Sequence, residues 1–495
     1  MNSNRATKPY SIAADSRGSL TVQDYGRMDM TELRAAIRSG AVTADAVVSV
    51  ARQALEQVNQ HLDALAMPPF ESALESNADG PLAGVPLVIK DTGPFAREVP
   101  FTAGTRVRFD PPGVDHDLMS RFRAAGLVTL GQSTMPEMGF SMATENPWNG
   151  PTRNPWMLDR GVGGSSGGAA ALVAAGAVPV AHGSDGAGSV RIPASCCGVV
   201  GLKPSRGRTP NGPLSGEPAF GLLAESALTR TVRDTAHILD AIAAPPSGDK
   251  FALPRPVRPY AQTMSIPPGR LKVAISTDAW SGVPVDPQVV AVTLEVGRCL
   301  EELGHVMESD RPTVDSDSII EAGTLAMIAG GAELRTFITE NPTKLPDRGL
   351  RILQAMSQQI LTETERSTAM NIAAALHAQD QVTRPIGLFL DRYDLLVTPT
   401  FGQLPLPHGV LDYDSPGYTM RTWLERLFEM GPFTAAFNIS GHPAISLPVG
   451  QSREGLPIGV QLVADRGRED LLLQVAAQLE EAMPWRDRRP LIYAG

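Results

Sequence analysis

Between Gly161 and Pro204 the chain reads GVGGSSGGAAALVAAGAVPVAHGSDGAGSVRIPASCCGVVGLKP, and this run constrains the fold more than any other. Two glycine-rich turns each carry serine, Ser165 with Ser166 in the first and Ser189 in the second. Between them, Gly168–Ala175 has the Ala and Leu content of a helix, Gly176 is a natural stop, and Ala177–His182 reads as a short buried strand. A turn, helix, strand and second turn in such close succession belong to a layered α/β core, with the hydroxyls on loops at its edge.

The second turn, HGSDGAGS, exposes successive backbone N–H groups that side chains barely encumber. VRIPAS then starts a short helix, so Ser189 falls at a helix N-terminus, and the N–H groups of Gly186, Ala187, Gly188 and Ser189 are candidates for an oxyanion hole. Asp185 and Arg191 flank Ser189 at a spacing that lets them pair across the turn and hold those donors still. Upstream, LAGVPLVIKDTG puts Lys90 at the end of an apolar strand, Val85–Ile89. Burial there favours the neutral amine, which can act as a base. The alternative is a strand-end lysine paired with Asp91.

Rival motifs fail on mechanics. Gly163–Gly167 fits G-x-S-x-G, but a nucleophile elbow needs a strand before it, and NPWMLDRGV does not read as one. No Gly-Lys-Ser/Thr follows the glycines, as a phosphate loop requires. His182 ends the strand and is expected to pack or hydrogen-bond there. With no HExxH and no Cys/His cluster, neither a metal nor a cofactor is expected.

GVPLVIKDTG, GGSSGG and DGAGSVRIPASCCGVVGLKPSRG together resemble the amidase signature family, hydrolases that use a serine, a cis-serine and a lysine. Matched position by position, the resemblance implies that Lys90 is the family's lysine, Ser165 its bridging cis-serine and Ser189 its nucleophile, with a cis Gly164–Ser165 peptide. It continues through FNISGHPAISLPVG and the C-terminal helix. Within the family the chain is similar to the 6-aminohexanoate cyclic-dimer hydrolase branch and to nearby urethane-cleaving amidases, on HGSDGAGSVRIPAS and GREDLLLQVAAQLEEAMPW. The implied activity is hydrolysis of the C–N bond of small, fairly apolar amides or carbamates, nylon-type oligoamides included, through a Ser189 acyl-enzyme. Many members have two glycines before the nucleophile, where this chain has Ala187 and Gly188. Alanine keeps the N–H but tolerates positive φ poorly. The alternative function is an amide-hydrolysing subunit of a transamidation assembly that supplies ammonia to a partner, although the sequence shows no basic tRNA-facing patch.

A net charge of −10 and a pI near 5.4 argue against nucleic acid as a partner. The 3 cysteines, two of them the neighbours Cys196 and Cys197, imply no disulfide framework. MNSNRATKPYSIAADSRGS lacks an apolar h-region and no later run approaches membrane-spanning length, so a cytoplasmic protein without membrane attachment is expected, as monomer or homodimer.

The expected architecture is one large α/β domain, a central mixed β-sheet flanked by helices on both faces, over residues 29–495, after an N-terminal arm over 1–28. TELRAAIRSG and the Thr43-capped TADAVVSVARQALEQVNQ are helices expected to pack outside the catalytic core. The long Pro-rich stretch from Ser133 to Gly161 is expected to line the substrate pocket through Met142 and Trp148. Residues 401–431, with exposed-looking aromatics, read as a lid inserted over the site.

Overall fold

Ten strands pair into one mixed sheet in the computed structural model, which describes residues 20–243, 247–340 and 353–495. They are β1 (Pro86–Lys90), β2 (Val128–Ser133), β3 (Val180–Asp185), β4 (Val200–Lys203), β5 (Ala224–Thr229), β6 (Lys272–Ile275), β7 (Val306–Ser309), β8 (Leu395–Pro399), β9 (Ala444–Gln451) and β10 (Pro457–Ala464). The order across the sheet is β7-β6-β8-β10-β9-β4-β5-β3-β1-β2. Pairing is parallel at both ends, among β7, β6 and β8 and among β3, β1 and β2, and antiparallel through the middle.

Side chains alternate along each strand and so divide the core into two faces. Leu87 and Ile89, Val273, and Leu395 with Val397 meet the helices Asp117–Ala125, Val232–Ile242, Pro287–Glu302 and Glu469–Ala482. On the opposite face Val88 and Ala181 meet Ala44–Leu62 and Gly167–Ala174. Ala274, Leu396 and Val463 there meet Ser316–Glu340, Ala369–Leu390 and Met420–Met430. Helices cover both faces of a single large α/β unit, as the sequence led us to expect.

Four local expectations need revision. Of the arm placed at 1–28, residues 1–19 lie outside the described residues. Residues 20–28 are packed: Val22–Arg27 is a helix capped by Thr21, and the buried Tyr25 donates its hydroxyl to the Ala177 carbonyl (3.0 Å). The helix Ala44–Leu62 does have the predicted Thr43 cap, but its buried face, including Val47, Ala51 and Val58, lies in the same core as Ala169–Ala175, directly behind the first serine turn. Met157–Gly161, read as non-strand, pairs with Arg153–Asn154 in a two-stranded ribbon outside the main sheet. Finally, the aromatics of 401–431 are not exposed. Met420, Trp423, Leu424, Leu427 and Phe428 form the buried stripe of the helix Met420–Met430, and the Trp423 indole N–H donates to the Phe140 carbonyl at 2.7 Å. Among the described residues no helix is long and apolar enough to cross a membrane.

Candidate active site

Every residue of β1 is buried, so the strand carries the Lys90 ammonium into the interior at its end. Its parallel neighbour β3 starts only after Pro179, which has no N–H to pair, and runs on to Asp185, past the end expected at His182. That shift brings Ser184 beside the lysine. Lys90 Nζ donates to Ser165 Oγ at 2.7 Å and to Ser184 Oγ at 3.1 Å, and makes no ion pair among the described residues. Asp91 turns away: it accepts from the N–H and hydroxyl of Thr102 and from the Gly104 N–H, and burial pushes its carboxyl up to about 6. The Lys90–Asp91 pairing is therefore ruled out. Burial lowers the Lys90 amine to about 8, against the pull of the Glu225 and Asp185 carboxylates.

His182, also buried, takes the hydrogen-bonding role expected of it. Its Nδ1 accepts from the Lys90 backbone N–H (3.3 Å), which leaves Nε2–H to donate to Glu225 at 2.7 Å. It thus braces the strand that carries the lysine.

Ser165 precedes Ser166, the N-cap of the helix Gly167–Ala174, and follows a cis peptide bond from Gly164. The next residue ties the two serine turns together, because Ser166 N–H donates to the Ser189 carbonyl at 3.0 Å. Ser189 is half-buried and its hydroxyl makes no hydrogen bond among the described residues. Asp185 organises the turn around it. Its carboxylate accepts from Gly188 N–H (2.7 Å) and Val190 N–H (3.1 Å), and Arg191 holds it from Nε and Nη2, both at 2.9 Å. Both side chains are wholly buried. Burial opposes the charge, but Arg191 and Asn438 outweigh it and keep the Asp185 carboxyl well below its ordinary range.

This geometry corrects the predicted donor set. The first N–H groups of the helix Arg191–Cys197 converge on Asp185, not on Ser189, and the Gly188 N–H is spent on the same carboxylate. The N–H groups of Gly186, Ala187 and Ser189 have no acceptor among the described residues and stay available. Ala187 is not at positive φ; Gly188 takes that conformation, at +127°. A Cβ on Gly188 would lie 2.3 Å from Thr434 Oγ1, which is itself pinned by a 2.6 Å hydrogen bond to the Ala187 carbonyl. Gly188→Ala is therefore expected to cost about 1–3 kcal/mol of stability and to slow catalysis at least about tenfold, measured by urea titration and by kcat on an acyl anilide.

Lys90, Ser165, Ser184 and Ser189 all line one cavity of about 180 Å³. Its other walls are mostly apolar, with Met142 among them as expected, along with Phe140, Leu222, Leu427 and Phe428. Trp148 does not line it. Its indole N–H donates to the Gly104 carbonyl (3.2 Å) and Arg106 lies over its ring, so it fastens two loops together. The segment 401–431 contributes wall through its helix. Among the described residues no group of three or more His, Cys, Asp or Glu side chains could hold a metal ion.

Comparison with known proteins agrees with the fold. The amidase family model matches residues 36–473. The 6-aminohexanoate-cyclic-dimer hydrolase of Paenarthrobacter ureafaciens is 39% identical over 482 residues, 93% of this chain and 96% of that protein. An acylamidase of Rhodococcus erythropolis is 32% identical, over 95% of this chain and 98% of that protein. The solved structure of a 6-aminohexanoate cyclic dimer hydrolase superposes with a TM-score of 0.87 at 36% identity, covering 94% of this chain and 99% of that one.

Proposed function

The chain belongs to the amidase signature family of amide hydrolases, and from that premise we propose that it cleaves small, fairly apolar amides and carbamates through an acyl-enzyme on Ser189. One observation carries the reading: a buried lysine whose side-chain partners are two serine hydroxyls, at the floor of a cavity that Ser189 also lines. An amine held there without a counter-ion is easily kept neutral and can accept a proton.

In the proposed sequence Ser189 Oγ attacks the substrate carbonyl while its proton passes to Ser165 Oγ and the Ser165 proton passes to Lys90 Nζ. The N–H groups of Gly186, Ala187 and Ser189 receive the developing oxyanion. Collapse breaks the C–N bond, and the relay runs backwards to protonate the departing nitrogen. Water then enters by the same route and releases the acid. Ser184 holds the lysine from its other side. A carbamate presents the same kind of carbonyl to the same serine, and likeness to the cyclic-dimer hydrolase brings 6-aminohexanoate oligoamides into the proposed range.

The test is a substrate panel of neutral acyl anilides, aryl carbamates and glutamine, with the purified protein acting alone. Release of aromatic amine without any partner is expected, and glutamine turnover appearing only with added subunits would favour the ammonia-supplying alternative. The pH profile follows from the amine. Below about 8 the inactive ammonium dominates, so kcat/KM should rise about tenfold from pH 7 to 9 and then level off. A profile flat across that range would remove Lys90 as the base.

A further inference from the structure

The helix Ser316–Glu340 lays a face of small residues along the cavity, with Gly323, Ala326, Ala329 and Gly330 on it, and that face ends at Glu333. From Gly323 to Glu333 the helix advances about 15 Å. Phe140 closes onto it, since a Cβ on Gly330 would fall 2.2 Å from the Phe140 ring. The neighbouring Gly139 lies against Ser165, a Cβ there being 3.4 Å from Ser165 Oγ. The wall Gly139–Phe140 thus links the serine end of the cavity to the helical turn before Glu333.

Glu333 is the one carboxylate among the residues that line this cavity, and apart from Lys90 the lining carries no other ionisable charge. It is exposed on its outer side and has neither a hydrogen bond nor an ion pair among the described residues. The nearest arginine in sequence, Arg335, is held by Glu365 at 3.3 Å. Partial withdrawal from water pushes the Glu333 carboxyl up from its ordinary value, and no cation among the described residues offsets that cost.

We infer that Glu333 determines specificity by pairing with a cationic amino group at the far end of the acyl chain, so that amides of ω-amino acids are preferred over equally long uncharged ones. The methylenes of such a chain would lie along the apolar walls and the Gly/Ala face of the helix, and its ammonium would reach Glu333, which has no partner among the described residues. The inference rests on the amide-hydrolase reading of the cavity.

The experiment compares kcat/KM for ω-aminohexanoyl anilide and for heptanoyl anilide, in which a methyl replaces the ammonium. The wild type should prefer the charged chain by about tenfold at low salt. The ratio should fall towards one in Glu333→Gln, reverse in Glu333→Lys, and narrow in the wild type as salt is added. Equal ratios in wild type and Glu333→Gln overturn the inference. Failure of the hydrolase reading would look different, as no release of aniline from either compound. Calorimetric affinities of the two anilides then decide: a preference of about tenfold that disappears in Glu333→Gln supports the inference, and its absence overturns it.

Discussion

Ser189→Ala protein is expected to fold as the wild type does and to hydrolyse an acyl anilide about 10⁴-fold more slowly or worse. The stability half of this expectation follows from the position of the hydroxyl, which is half-exposed in the cavity and hydrogen-bonded to nothing among the described residues. Lys90→Met should lose as much activity for a different reason, since the relay then has no base. It should also gain stability, and the sign of that gain depends on pH. The folded-state value of about 8 lies below the ordinary lysine value, so the folded protein resists protonation. The resulting penalty is fully present below about pH 8 and disappears as pH rises through about 10.4, the unfolded value. Lys90→Met removes it, so the variant should be the more stable protein at pH 7 and lose that advantage near pH 10. Acid-quenched wild type should carry the acyl group on the peptide containing Ser189. An acyl group found on Ser165 or Ser166 would transfer the nucleophile's role and undo the proposed relay.

That Lys90, Ser165 and Ser189 share one cavity was legible because the three stand in short local motifs. Apolar residues before Lys90 announce a buried strand end, and glycines around Ser165 and Ser189 announce turns whose backbone must come close to something. What escaped depends on pairing between distant segments. Ser184 became a lysine ligand only because β3 pairs with β1, more than eighty residues upstream, and extends to Asp185 against β5. A strand's end is set by its neighbours, and the sequence of one strand does not name them. The Gly188 N–H was miscounted for a similar reason. The Asp185 carboxylate three residues back takes it, and that competition is visible only once Asp185 is fixed by Arg191. Two misses could have been avoided. Met420, Trp423, Leu424, Leu427 and Phe428 have plain helical spacing, which the reading of 401–431 as an insertion with exposed aromatics passed over. Gly323, Ala326, Gly330 and Glu333 likewise share one helical face, which small residues mark as a surface something must approach.

Arg191→Met is the substitution expected to damage the fold most, by about 3–5 kcal/mol, because it strands a buried carboxylate without its counter-charge. Arg191 reaches further than Asp185: its guanidinium also donates to the Thr434 carbonyl (3.1 Å), to Gln461 Oε1 (2.7 Å) and to Asn438 Oδ1 (2.5 Å). It thereby ties the turn around Ser189 to β10 and to the helix Ala435–Ser440. In the wild type the depressed Asp185 carboxyl contributes stability that is present above its unfolded value, about 3.9, and is lost as pH falls through the folded one. Without Arg191 the sign reverses: burial then dominates, the carboxyl moves above its unfolded value, and the variant loses stability as pH rises through it. The gap between the two proteins in urea should therefore widen from pH 5 to pH 8. Adding Asp185→Asn should close part of it, since the amide still accepts from Gly188 N–H and carries no charge. Equal destabilisation at both pH values would mean that Arg191 acts through packing alone. In the folded fraction kcat should fall while KM changes little, because the loss falls on the turn that aims the main-chain donors and leaves the apolar walls of the cavity in place.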